Sequence, residues 1–219
     1  MNSVPDLSEE EKEERMEHCM EITAEDGRKV YQTFYADEMG IRLSEVNKTK
    51  GWQNPLGKIK VQVPEVDVKL NCWAAISYEG ATSFEIFTDN LKGSVYERIP
   101  NDHKQEIEEL FLNGFYCIHD NHPIHKSNHK WMDDSNLKRI KLPNSSDLNM
   151  IENLWYTLKD YMARDAPRTE ADLRRSLEMN WEIITTPENF QSYFESFHTR
   201  HFECLEEGGE RLPSSKLLL

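Results

Sequence analysis

The stretch "LPNSSDLNMIENLWYTLK", residues 142–159, carries the strongest helical signal in the chain. From Met150 onward, Ile151, Leu154, Trp155, Leu158 and Met162 recur at steps of three and four residues. One face of a helix running to about Arg164 is therefore built for burial. The polar loop "NSSDLN" precedes it, and before that "LKRIKLP" (137–143) reads as a strand. Glu152 opens the helix, and two readings of it stand. With Asn149 three residues earlier it fits a capping box. At the rigid start of a long helix it is equally placed to serve as a site carboxylate.

Working outward, "FYCIHD" (115–120) reads as a short buried strand. A helix is expected over 95–113, ended by Gly114, and another near 125–134. Upstream, Val30–Ala36 ("VYQTFYA") is β-branched and aromatic and reads as a strand that ends at Asp37-Glu38, with "GIRLSEV" (40–46) pairing back on it. "KGWQNPLGK" (50–58) is loop, and Leu70–Ser77 and Ser83–Asp89 are strands around the turn "YEGAT". Residues 7–22 form an acidic helix with a Ser8/Glu11 capping box and a narrow stripe of Met16, Cys19, Met20 and Ile22. Its glutamates read as a solvated face. Helices near 170–181 and 188–206 complete the list, and 208–219 reads as a frayed tail. Strands first, then alternating strands and helices, predict an α/β domain with a mixed sheet covered by helices. The expected division is a leading acidic helix at 1–28, a main domain at 29–207 and a flexible tail at 208–219.

Composition bounds the function. The chain has 219 residues and a net charge of −14. Phosphate neutralisation by Lys and Arg supplies most non-specific DNA affinity, so this charge argues against a DNA-coating protein and predicts weak, salt-sensitive binding. It does not exclude a metal-dependent nuclease, whose centre must itself be acidic. No apolar run reaches the ~18 residues of a membrane span, and the acidic start is no signal peptide. The four cysteines are scattered with no CxxC pair, which predicts reduced thiols in a protein that is not secreted.

Three acids occupy suggestive places: Asp37 after one apolar strand, Asp120 after another, and Glu152 at the head of the helix. Three carboxylates brought together repel one another, and a hard divalent cation such as Mg²⁺ resolves the conflict with oxygen ligands. Two such ions about 4 Å apart can activate water and stabilise a leaving oxygen in phosphodiester cleavage. Singly, each acid also reads as a cap or a turn residue. His119, His122, His125 and His129 crowd around Asp120 with loose zinc spacing. They lack cysteine partners, and Pro123 interrupts the segment, which argues against a zinc site.

These blocks carry a family resemblance. "FYADE" (34–38) resembles the first-aspartate strand of mariner-type DDE transposases, "HDNHPIHKS" (119–127) their second-aspartate motif, and "LPNSSDLNMIENLWYTLK" their third block. "LSEEEKEERMEHC" and "FHTRHFECLEEGGE" are similar to the stretches that flank the family's catalytic region, so the resemblance covers about residues 7–210. It implies an RNase H-like mixed sheet of about five strands flanked by helices. It implies Asp37, Asp120 and Glu152 as catalytic metal ligands for Mg²⁺, with Mn²⁺ as substitute and two ions in all. Asn121 and His125 occupy motif positions, and with Lys126 they are the candidate DNA contacts. The implied partners are transposon-end and target DNA and a second copy of the chain. The implied location is nuclear in a eukaryotic host and cytoplasmic otherwise.

Departures qualify the resemblance. Ser146 and Met150 stand where the family usually has proline, His119 where it commonly has glutamine, and the 31 residues between Asp120 and Glu152 are a few fewer than usual. The family's helix-turn-helix domains would precede residue 1. Two rival readings remain open: a transposase-derived module that binds DNA or protein without cutting, and a nuclease of different specificity on the same fold.

Overall fold

The structure, a computed structural model, describes residues 6–24, 28–46, 67–88, 98–99, 102–110, 116–119, 138–143 and 146–212. The helices are α1 (Glu9–Thr23), the single turns α2 (Arg28–Tyr31) and α3 (Leu43–Val46), α4 (Lys104–Leu110), α5 (Met150–Asp165), α6 (Glu170–Ile184) and α7 (Pro187–Glu206). The strands are β1 (Thr33–Arg42), β2 (Lys69–Ser77), β3 (Gly80–Ala81), β4 (Glu85–Phe87), β5 (Tyr116–His119) and β6 (Lys138–Lys141). They form one mixed sheet in the order β3-β2-β1-β5-β6, with β4 also on β2. The expected α/β architecture is present, with six strands among the described residues where about five are expected. The extra one is the two-residue β3 inside the "YEGAT" turn.

β1 is the central strand, antiparallel to β2 and parallel to β5. It does not end at Asp37-Glu38 as its sequence suggests, because Asp37 pairs with Ala74 and Glu38 with Trp73 on β2. Eight consecutive ladder positions outweigh the turn preference of two acids. The predicted return strand over 40–46 is instead the end of β1 followed by α3. There Leu43 and Val46, three residues apart, are both buried, and Asp67 accepts a hydrogen bond from the Ser44 N–H at 3.1 Å. Val30 and Tyr31 lie in α2 and not in a strand. Of the helix expected over 95–113, the described residues keep the core of α4. The helix expected near 125–134 lies outside the described residues.

Alternation along β1 divides the core. Tyr35, Met39 and Ile41 pack with Ile151, Leu154, Trp155, Phe194 and Phe197 on one face. Phe34 and Ala36 pack with Trp73, Phe87 and Ile107 on the other. α1 has the predicted capping box, but its buried face is Arg15, His18, Cys19 and Ile22, while Met20 is exposed. Residues 208–212, read from sequence as tail, run back along α1. Arg15 Nε donates to the Gly209 carbonyl at 2.7 Å, and Leu212 is buried.

Two predictions arise here. Burial depresses the imidazoles of His18, to about 4, and His201, to about 3. Each donates through Nδ1, His18 to the Lys141 carbonyl and His201 to the Phe197 carbonyl, both at 3.0 Å, and neither Nε2 has a partner among the described residues. The folded state therefore binds fewer protons than the unfolded one. The stability from these two neutral rings is complete above the unfolded value near 6.5 and is lost as pH falls through 4 to 3. Urea midpoints measured from pH 7 to pH 4 should fall steeply below 6, and the slope should flatten in His201→Phe. At the end of α5, Ala166 has φ of +48° and closes the helix with its N–H on the Met162 carbonyl. Glycine suits that left-handed position, so Ala166→Gly should raise stability by roughly 0.5–1 kcal/mol in chemical denaturation.

Candidate active site

Asp37 lies mid-strand on β1 with only 5% of its surface exposed. Opposite Ala74, it belongs to the sheet face that carries Tyr35 and Met39, the face covered by α5. A carboxylate so deep is retained only with compensating partners. One is the Glu38 backbone N–H, which donates to Asp37 Oδ1 at 2.8 Å.

Glu152 stands in the first turn of α5, the helix that packs on β1. It is exposed, while its neighbours Met150, Ile151 and Leu154 are fully buried. The capping-box reading of Asn149 and Glu152 fails, because Asn149 makes no side-chain capping bond. The boxes predicted from the same kind of pattern at Ser8/Glu11 and formed at Thr169/Asp172 are both closed. The start of α5 thus lacks the side-chain cap that the pattern at Asn149 predicts.

The third predicted acid, Asp120, lies outside the described residues, as do Asn121, His125 and Lys126. The described chain reaches to the residue before Asp120. β5 ends at His119, and its parallel register with β1 places Tyr35 opposite Ile118. Among the described residues no three acid, histidine or cysteine side chains converge as a metal site. The described structure thus puts two of the three acids on elements that share one face of the sheet. A cavity of about 390 Å³ lined by Asp165, Pro167, Arg168, Asp172, Arg175 and Met179 lies at the opposite end of α5. At 1.5 Å per residue that end is roughly 20 Å from Glu152, too far to share its chemistry. Sequence reasoning missed Arg15 and His18, which lie outside the predicted apolar stripe of α1 and are buried. Their spacing with Cys19 and Ile22 was the available signal.

A sequence family described as DDE superfamily endonuclease matches residues 32–174, a span that includes Asp37, Asp120 and Glu152. No curated protein matches. Among solved structures, the Mos1 mariner paired-end complex with Mn superposes with a TM-score of 0.79 at 15% identity, covering 97% of this chain and 68% of that one. The Mos1 strand transfer complex gives 0.77 at 15% identity over 97% and 67%. The catalytic domain of Mos1 mariner transposase gives 0.73 at 16% identity over 96% and 100%. At such identities the likeness establishes the fold, which is that of the Mos1 catalytic domain.

Proposed function

The chain belongs to the DDE superfamily of endonucleases, and from that premise we propose that it is the catalytic domain of a mariner-type DNA transposase. The observation that carries the reading is the buried Asp37 on the central strand, beneath the helix whose first turn presents Glu152. In the proposal, Asp120, the residue that follows β5, is the third acid of the site. The three acids then form one carboxylate group, with Asn121, His125 and Lys126 toward the phosphates next to the cut.

The donor set fits hard divalent cations. It is oxygen only, it is carried on a strand and a helix start, and its Asp37 member is withdrawn from water. Asp37, Asp120 and Glu152 would hold Mg²⁺ or Mn²⁺, two ions in the proposal. The bound metal supplies Lewis acidity and a lowered water pKa. The chain's own part is to hold the acids on rigid elements and bring a DNA phosphodiester against them. Water then breaks the P–O3′ bond, leaving a 3′-hydroxyl and a 5′-phosphate. In strand transfer the freed 3′-hydroxyl attacks a phosphodiester of target DNA and displaces another 3′-oxygen.

The partners in this reading are transposon-end and target DNA and a second copy of the chain. The net charge of −14 favours a second reading, a binding module that does not cut. Supercoiled plasmid at low salt with Mn²⁺ separates the two. Nicking by the wild-type chain supports the nuclease, and its absence, with weak plasmid binding retained, supports the module.

A further inference from the structure

The start of α5 is clamped from a distance. Arg15, on α1 and 1% exposed, donates from Nη1 and Nη2 to the two oxygens of Asp147, both at 2.8 Å. The same guanidinium reaches the carbonyls of Gly209 at 2.7 Å and Glu210 at 2.9 Å. Asp147 Oδ2 also accepts the Leu212 N–H at 3.2 Å, and the Asp147 carbonyl accepts from Arg200 Nε at 3.2 Å. Asp147 lies in the 3₁₀ turn Ser146–Leu148, directly before α5 and five residues before Glu152. Elements from both ends of the described chain thus converge on the one turn from which α5 departs. The N-cap residue of that helix, Asn149, makes no side-chain capping bond of its own, and neither does Thr186 at the start of α7.

We propose that Arg15 and Asp147 are positioning residues that fix the first turn of α5 and, through it, the Glu152 carboxylate. The inference rests on the reading of Glu152 as a site acid. A bidentate Arg–carboxylate pair fixes direction as well as distance. The Glu152 carboxylate is exposed on a turn whose other residues are buried, so its direction is set by how that turn is seated, and helix ends fray when their amides are not held. The Asn149 side chain makes no capping bond here, whereas α1 and α6 carry closed capping boxes.

The test uses Asp147→Asn, which keeps size and one hydrogen-bonding oxygen, and Arg15→Lys, which keeps charge but loses the fork. Hydrogen exchange of the full chain is measured first. The proposal expects faster exchange in amides 149–154 in both variants, with β1 and β2 unchanged. Unchanged exchange there overturns it. Mn²⁺ binding, followed by the electron paramagnetic resonance of the free ion, is measured second. Losing a residue that orients a metal ligand typically costs ~10–100-fold in metal affinity or activity, and a weakening of that order is expected in chains still fully folded at the assay temperature. A lower melting temperature with unaltered Mn²⁺ binding would make the pair merely structural and overturn the positioning role. Should the wild-type chain bind no Mn²⁺ and nick no DNA, the nuclease reading falls, and the exchange result still decides the clamp.

Discussion

Plasmid nicking by the Asp37→Asn and Glu152→Gln chains is expected to drop by at least ~100-fold, beyond the usual loss for an outer-shell partner. Both changes keep the shape of the side chain and remove its charge. Asp37→Asn leaves a neutral amide at a site 5% exposed, in a strand paired on both sides, so the sheet has little freedom to bring another acid into its place. Glu152→Gln acts on an exposed side chain and keeps its shape, so it should leave folding largely intact. Melting with and without Mn²⁺ gives a second readout. A ligand that binds only the native state stabilises it by mass action, so Mn²⁺ should raise the melting temperature of the wild-type chain and not of the double variant. Nicking that survives in either variant would move the site away from these acids.

Trp155→Ala is expected to cost 3–5 kcal/mol, the range for removing a large buried aromatic, and to lower the melting temperature by roughly 10 °C. Trp155 is 2% exposed. Its ring lies 5.4 Å from Trp181 and 6.0 Å from Phe84, and Phe84 stacks on Trp181 at 4.9 Å. The three rings join α5, α6 and the turn before β4, so the cavity left behind has walls on three elements that cannot all close in. The indole Nε1 has no hydrogen-bond partner among the described residues, so Trp155→Phe removes volume without orphaning a polar group. It should retain most of the stability. Calorimetry of both variants checks the ordering, and equal losses would mean that the ring edge, not the volume, is what matters.

What the sequence disclosed follows from how local each signal is. α5 was legible to within a residue because its apolar spacing and its burial are the same fact seen twice. β2 was legible for a similar reason, since an apolar run such as "LNCWAAIS" has few other uses, and β6 because charged and apolar residues alternate through "RIKL". β1 was cut short at Asp37 because two acids in a row favour a turn, and nothing local reveals the eight-residue ladder that carries the strand past them. The partners of Arg15 and His18 were not legible, because a polar residue gives no local sign of a partner 132 or 123 positions away. The placement of Asp37 and Glu152 on one side of the sheet followed from the resemblance. The physical ground for it, the alternation of β1 and the packing of α5, became visible only once the register was known.

Gly209 shows what the run of residues 208–212 along α1 means for the layout of the chain. It has φ of +82°, and a Cβ there would lie 2.4 Å from the Lys12 carbonyl oxygen, so the two backbones are in direct contact. Lys12 also pairs with Glu210 at 2.7 Å. The first helix and the last described residues therefore leave the domain side by side. A circular permutation that joins them needs only a short linker, and a domain inserted into another protein at this point would enter and exit through a single doorway. Both described ends lie next to the turn that launches the helix of Glu152, through Arg15, Gly209 and Leu212.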